Sequence, residues 1–283
     1  MHFMLIFFMK KNSTLICFLL FYLLTNINSL YADELYPGEI VSGKIGKYGL
    51  GTSIILPTGN WEVAGIAKKN GTIRPVEIIL IQRANSIIKS IFQIRYARDF
   101  GLTQGWDAVY GWRPEETFLN NTCDDYKKQR SNFHYKKIKK KSQQLIVDGE
   151  CIAVYAINDF YKYTELQKDN SLEEAFNMTD DFIMRNKLEY PNALVFIDNT
   201  YFSEKNYVQT YYAVNPELSD VKSSPGVYFN NSEWHRYNID HHPQKKSFMD
   251  KAIFAGKQVF NKNINNFQDR KPLDFSSYAK IFN

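Results

Sequence analysis

The sequence predicts an α+β protein in which antiparallel β-hairpins form one or two sheets, with two main helices at about 172–188 and 245–267. Segments rich in β-branched residues are separated by short turn-forming stretches, which is typical of hairpins. Two longer segments instead repeat apolar residues at three- and four-residue steps, the spacing of amphipathic helices. Because the helices stand apart from the runs of strands, an α+β arrangement is favoured over parallel βαβ units.

The N-terminus has the pattern of a secretory signal peptide. Lys10 and Lys11 precede an apolar run over residues 15–24, and a polar stretch then leads to the small residue Ala32. This order predicts export to the periplasm or outside the cell, with cleavage after Ala32. An uncleaved membrane anchor is the alternative, but the apolar run is about half of the roughly 20 residues that span a bilayer.

Removing the signal peptide, residues 1–32, leaves a segment that we interpret as a single compact α+β domain, residues 33–283. We expect no transmembrane segment within it. The loss of two lysines lowers the formal net charge of the chain from +5 to +3. This charge is too small to make the whole surface a polyanion-binding face, so any attraction to anions must be local.

The first strands are predicted between residues 61 and 96. Residues 61–66 alternate apolar with small or polar side chains, as a half-buried strand does. Two isoleucine-rich segments, 76–82 and 87–96, flank a turn at Asn85 and predict an antiparallel hairpin. A helix over 87–96 is the alternative, which the density of β-branched residues disfavours.

Three further strands are expected in the second half, over 144–157, 193–198 and 207–214. The first of these allows an alternative, a hairpin bent at Asp148 and Gly149, because glycine after aspartate is a frequent turn pair. These segments, like the earlier ones, are rich in valine, isoleucine and tyrosine, which favours strands.

Each helix has its own signal. Ser171 and Glu174 form a capping box that opens the helix at 172–188, and Pro191 stops it. The helix at 245–267 has apolar residues from Phe248 to Phe267 at helical spacing. Its Lys-, Asn- and Gln-rich face is predicted to be an ordinary solvated surface.

Cys123 and Cys151 are the cysteines that remain after signal cleavage. Compartments beyond the membrane are oxidising, so we expect these two to form a structural disulfide. In the chain-entropy model, closing a loop of this size stabilises the fold by about 3.5 kcal/mol.

The segment between these cysteines is predicted to be a strongly basic, disulfide-closed loop over 124–150. Its cations could bind an anionic polymer or envelope surface, with Phe133 and Tyr135 available for stacking. A solvated loop without a ligand is the alternative. The candidate anion-binding residues are Lys127, Lys128, Arg130, Lys136, Lys137, Lys139, Lys140 and Lys141.

A histidine-rich segment supplies the candidate metal ligands His235, His241 and His242, together with Asp240. Imidazoles and a carboxylate suit zinc or copper. Their spacing, however, matches no metalloenzyme motif such as H-E-x-x-H.

These observations favour an exported binding or cell-envelope interaction protein without catalysis, and they imply no cofactor. The specific ligand is not predicted, apart from the anionic polymer or surface suggested by the basic loop. The alternative function is a secreted hydrolytic or metal-dependent enzyme that uses His235, His241 or His242.

Overall fold

The structure is a computed structural model that describes residues 35–46, 52–68, 76–98, 131–140, 146–158, 173–203, 206–224, 231–278 and 282. Its helices are α1 (Glu173–Arg185) and α2 (Pro243–Gln268), with short 3-10 helices at Pro216–Ser219, Ile239–His241 and Ser276–Tyr278. Its strands are β1 (Ile40–Val41), β2 (Lys44–Ile45), β3 (Ile54–Ile55), β4 (Trp61–Lys68), β5 (Val76–Ala84), β6 (Ile87–Arg98), β7 (Phe133–Lys140), β8 (Ile146–Asn158), β9 (Ala193–Ser203), β10 (Asn206–Val214) and β11 (Leu273–Asp274).

Eight of these strands form one antiparallel sheet in the order β1-β4-β5-β6-β10-β9-β8-β7. The pairing of β6 with β10 joins the strands of the first half of the chain to those of the second half. A smaller sheet has the order β11-β3-β2, with β11 parallel to β3. The predicted α+β class, with hairpins in one or two sheets and two main helices, is confirmed.

The two helices cover opposite faces of the large sheet. Successive side chains of a strand point to opposite faces, and β8 shows the division clearly. Ala153 and Tyr155 belong to the hydrophobic core that contains the apolar side of α1. Ile152 and Val154 instead face α2, where a Cβ on Gly256 would lie 3.0 Å and 3.5 Å from their methyl groups. Each face of the sheet therefore has its own core.

The hairpin predicted in the first half is present as β5 and β6, paired from Val76 with Tyr96 to Ala84 with Ile87. Asn85 in its turn has a φ of 58°, a conformation that asparagine tolerates better than most residues. Both predicted helices are also present, each within three residues of its expected ends.

The basic segment differs from the predicted loop at 124–150. Residues Phe133–Lys140 form β7, which pairs along its length with β8. β8 itself passes through Asp148 and Gly149 without the bend that we considered. Gly149 is needed there for close packing, because a Cβ at this position would lie 2.1 Å from Cζ of Phe202. The lysines between 136 and 140 therefore lie on a strand. Pairing with β8 stabilises this strand, although the polar composition of the segment is typical of a loop.

Several predictions concern residues outside the described part of the chain. These are the signal peptide at 1–32, the capping serine Ser171, and the candidates Cys123, Lys127, Lys128, Arg130 and Lys141. Within the described residues, no helix combines the length and the apolar character needed to cross a bilayer.

Candidate binding surface

The strand β7 lies at the edge of the large sheet, and its alternation sorts the basic segment into two sides. Phe133, Tyr135 and Lys137 pair with Val154, Ile152 and Glu150 of β8, so they share the α2 side of the sheet. His134 and Lys136 pair with Ala153 and Cys151 and share the opposite side. The strand therefore places two aromatic rings and a lysine in a row on one side.

Helix α2 completes this row from the neighbouring position. The Lys257 ammonium lies 4.2 Å from the centre of the Phe133 ring, close enough for a cation–π contact. The Tyr135 ring meets Phe260 edge-on, with 5.8 Å between ring centres. We call Phe133, Tyr135, Lys137 and Lys257 the β7–α2 surface.

Both aromatic and cationic groups on this surface remain accessible. Tyr135 is 41% exposed although its ring contacts α2. The Lys137 side chain is 68% exposed, and its ammonium lies 3.5 Å from the Glu150 carboxylate. A salt bridge with so exposed a lysine contributes little to stability, so Lys137 can approach a second anion at small cost. The surface can offer the exposed Tyr135 ring and positive charge to a ligand.

Three of the other predicted cations, Lys136, Lys139 and Lys140, belong to the described part of β7. Lys136 is exposed on the opposite side of β7. Lys139 and Lys140 continue the strand, with a register irregularity between them. The strand therefore brings together only part of the predicted anion-binding set.

Cys151 is buried in β8, with 3% of its surface exposed. It lies opposite Thr200 of β9 and Lys136 of β7. Its predicted partner Cys123 lies outside the described residues, so the disulfide between them stays a prediction.

The three candidate metal ligands do not converge. His235 is 6% exposed in a turn, with its ring against Tyr237 at 5.0 Å. Burial, followed by the nearby Arg236 charge, lowers the pKa of the His235 imidazole. His241 and His242 lie where the 3-10 helix meets α2. The described residues include no group of three or more His, Cys, Asp or Glu side chains placed to hold a metal ion.

A buried polar network crosses the middle of the sheet on the α1 side, and sequence reasoning missed it. Glu77 is fully buried and accepts hydrogen bonds on Oε1 from Gln93 and from Arg95, the latter at 2.9 Å. On the adjoining strands, Gln209 donates to Asp198 at 3.1 Å, and both are buried. The sequence does show polar residues at 93 and 95 between apolar neighbours, which could have indicated this network. The same alternation, however, is typical of a strand with one solvated face.

Comparisons with known proteins add no functional assignment. No protein-family model matches the chain, and no curated protein matches it. Two solved Bacillus subtilis subsp. subtilis str. 168 structures show a weak likeness. The C-terminal domain of Yurk is 12% identical over 54% of this chain and 85% of that chain, with a TM-score of 0.21. The possible transcriptional regulator YydK is 11% identical over 70% of this chain and 66% of that chain, with a TM-score of 0.20. By fold and surface, the molecule is an α+β protein with an aromatic and cationic sheet edge.

Proposed function

We propose that this chain is an exported, non-catalytic protein that binds an anionic polysaccharide through the β7–α2 surface. The observation that carries the proposal is the placement of Lys257 over Phe133, beside the exposed Tyr135 and Lys137. This placement brings a cation of α2 to a ring of β7, on the side of the strand that also carries Tyr135 and Lys137.

The chemistry of the surface fits a polymer of acidic sugars. Lysine is a compact charge on a flexible stem, so it can follow irregularly spaced sulfate or carboxylate groups. An aromatic ring can cover the apolar face of a sugar while the ammonium groups meet its acidic substituents. The expected export of the chain favours a polysaccharide over a nucleic acid as the polyanion.

Lysines on an edge strand also have a simpler role, which is to prevent pairing with the edge of another sheet. That role requires the charges of β7 alone. It does not require Lys257 of α2 to lie over Phe133, nor does it require Tyr135 to be 41% exposed. These two features are the ones that favour a ligand.

The binding test compares two double variants that remove the same charge. Each lysine near a dense anionic surface contributes about 1 kcal/mol. We therefore expect Lys137→Gln and Lys257→Gln together to weaken heparin binding about thirty-fold. The control replaces Lys44 and Lys222, exposed lysines elsewhere in the structure, by glutamine. Isothermal titration calorimetry at constant salt measures both.

Two results would overturn the proposal. Equal losses in the two variants would show that net charge alone attracts heparin. Binding of single-stranded DNA as tight as that of heparin at the same salt would remove the preference for a polysaccharide. Thermal melting of each variant checks that the fold is retained.

We further propose, as part of the exported state, that Cys123 and Cys151 are joined by a disulfide. In protein collected after export, N-terminal sequencing should begin at Asp33, and a non-reduced digest should contain the Cys123 and Cys151 peptides linked. Replacing both cysteines by alanine should lower the free energy of unfolding by about 3.5 kcal/mol. Recovery of both thiols alkylated without reduction would contradict the pairing.

A further inference from the structure

Glu150 is a mostly buried carboxylate beside the β7–α2 surface. Its side chain is 11% exposed and lies on the α2 side of β8, directly opposite Lys137 of β7. The Lys137 ammonium is 3.5 Å from Oε1 of Glu150, whereas a charge-assisted hydrogen bond between nitrogen and oxygen measures about 2.7–2.9 Å. The two groups therefore attract each other without forming a close hydrogen bond.

The neighbours of Glu150 do not complete its hydrogen bonding. The adjoining strand β9 places Tyr201 opposite it, but the Tyr201 hydroxyl donates to the Phe260 carbonyl oxygen at 3.5 Å. Among the residues that the structure describes, the ionic partner of Glu150 is Lys137, and its side chain forms no hydrogen bond. Removing a carboxylate from water without hydrogen bonds costs free energy, so the stability of the fold does not explain its position.

The Glu150 carboxylate can be reached from outside the protein. Neither of its oxygens is among the fully buried side-chain atoms that lack a hydrogen bond in the described part of the chain. The ammonium beside it belongs to a lysine side chain that is 68% exposed. Because the ion pair is loose, this lysine can turn toward solvent. A donor group of a ligand can therefore approach the carboxylate along Lys137.

Glu150 is also close to the exposed ring of the β7–α2 surface. Tyr135 pairs with Ile152, which follows Glu150 by two residues on β8. Such diagonal neighbours on adjacent strands lie roughly 7–8 Å apart, within reach of aromatic and long side chains. Tyr135 is 41% exposed. A sugar ring that rests on Tyr135 therefore brings its hydroxyl groups to the Glu150 carboxylate.

We propose that Glu150 is a specificity-determining residue of the polysaccharide site, whose carboxylate accepts a hydrogen bond from a sugar hydroxyl. This inference rests on the proposed function and adds to it the kind of polyanion that the surface selects. Lysines and aromatic rings attract any polyanion, including single-stranded DNA and polyphosphate. A fixed negative charge beside them repels every polyanion, but only a ligand with hydroxyl donors gains a bond in return. The site therefore selects acidic polymers that retain free hydroxyls.

The test compares heparin, which retains free hydroxyls between its acidic groups, with inorganic polyphosphate, which has none along its chain. Glu150→Gln should tighten polyphosphate binding about fivefold, because a nearby like charge is removed. Heparin also loses a charge-assisted hydrogen bond, so the ratio of heparin affinity to polyphosphate affinity should fall about tenfold. The matched control is Glu62→Gln, since Glu62 is a partly buried carboxylate of β4 that pairs with Arg83. Isothermal titration calorimetry at constant salt measures both ligands.

The outcomes separate this inference from the proposed function. If the unaltered protein binds no heparin, the proposed function fails and the role of Glu150 with it. If the unaltered protein binds heparin and Glu150→Gln tightens both ligands equally, Glu150 only repels anions and this inference alone is overturned. An equal loss for both ligands would also overturn it, because Glu150 would then only hold Lys137 in place. A fall in the ratio for Glu150→Gln, with no change for Glu62→Gln, supports the hydrogen bond.

Discussion

The substitution Arg95→Met is expected to lower the free energy of unfolding by about 3–5 kcal/mol, the usual effect of removing one partner from a buried ion pair. Glu77 is fully buried, and the Arg95 side chain is 17% exposed. Arg95 Nε donates to Glu77 Oε1 at 2.9 Å. Without the guanidinium, the Glu77 carboxylate would stay in the core with its charge uncompensated. Chemical denaturation measures the change.

The packing of Arg95 adds to this effect. Its guanidinium lies 5.5 Å from the centre of the Tyr211 ring and 5.9 Å from that of Phe176 on α1. Methionine keeps part of the apolar stem but loses these cation–π contacts, each of which contributes about 0.5–2 kcal/mol depending on its exposure. The ion pair is therefore also a contact between the sheet and α1.

Arg83→Met provides the matched control, because Arg83 pairs with Glu62 at 2.7 Å but is 38% exposed. An exposed pair contributes about 0–1 kcal/mol. The double variant Glu77→Leu with Arg95→Met should recover much of the lost stability, since no buried charge then remains. An effect of Arg95→Met no larger than that of Arg83→Met would refute the role assigned to the buried pair.

The substitution Gly65→Ala is expected to destabilise the protein by about 1–3 kcal/mol or more, the range of overpacked core substitutions. A Cβ on Gly65 would lie 2.1 Å from the backbone oxygen of Ala175 and 2.4 Å from Oγ1 of Thr179, both on α1. The Thr179 hydroxyl already donates to that same Ala175 oxygen at 2.8 Å. Because the closest atom belongs to the helix backbone, α1 as a whole must move away from β4.

Gly256→Ala is the control for this substitution. A Cβ on Gly256 would meet only side-chain methyl groups, with Ile152 and Ile197 both at 3.0 Å. Alanine also gains about 1 kcal/mol of helix propensity over glycine inside α2. We expect a net change near zero for Gly256→Ala. A comparable loss of stability in the two variants, measured by thermal melting, would contradict the close approach of α1 at Gly65.

The candidate surface could be predicted only in part from the sequence. The basic run at 136–141, together with Phe133 and Tyr135, suggested an anion-binding segment from composition alone. The contribution of Lys257 was not visible, because the polar face of this helix is predicted from its sequence to be an ordinary solvated surface. Local patterns carry no information about which helix residue comes to lie beside which strand.

The buried network shows the same limit for charged residues. Glu77 and Arg95 are ordinary polar positions in strands that were correctly predicted. Their burial depends on the pairing of β5, β6 and β10 in the sheet and on the cover that α1 provides. A strand face that is polar in sequence can therefore be solvated or buried, depending on the tertiary packing.

The sequence by itself determined the α+β class, the hairpin of β5 and β6, and the positions of the two helices, because these depend on side-chain periodicity and on residues close along the chain. Only the tertiary structure decided that the basic segment is an edge strand, since β7 exists through its pairing with β8. It also decided that Lys257 of α2 lies over Phe133 of β7. These two residues are far apart along the chain. Contacts of this kind arise when elements pack against one another, and no local pattern encodes them.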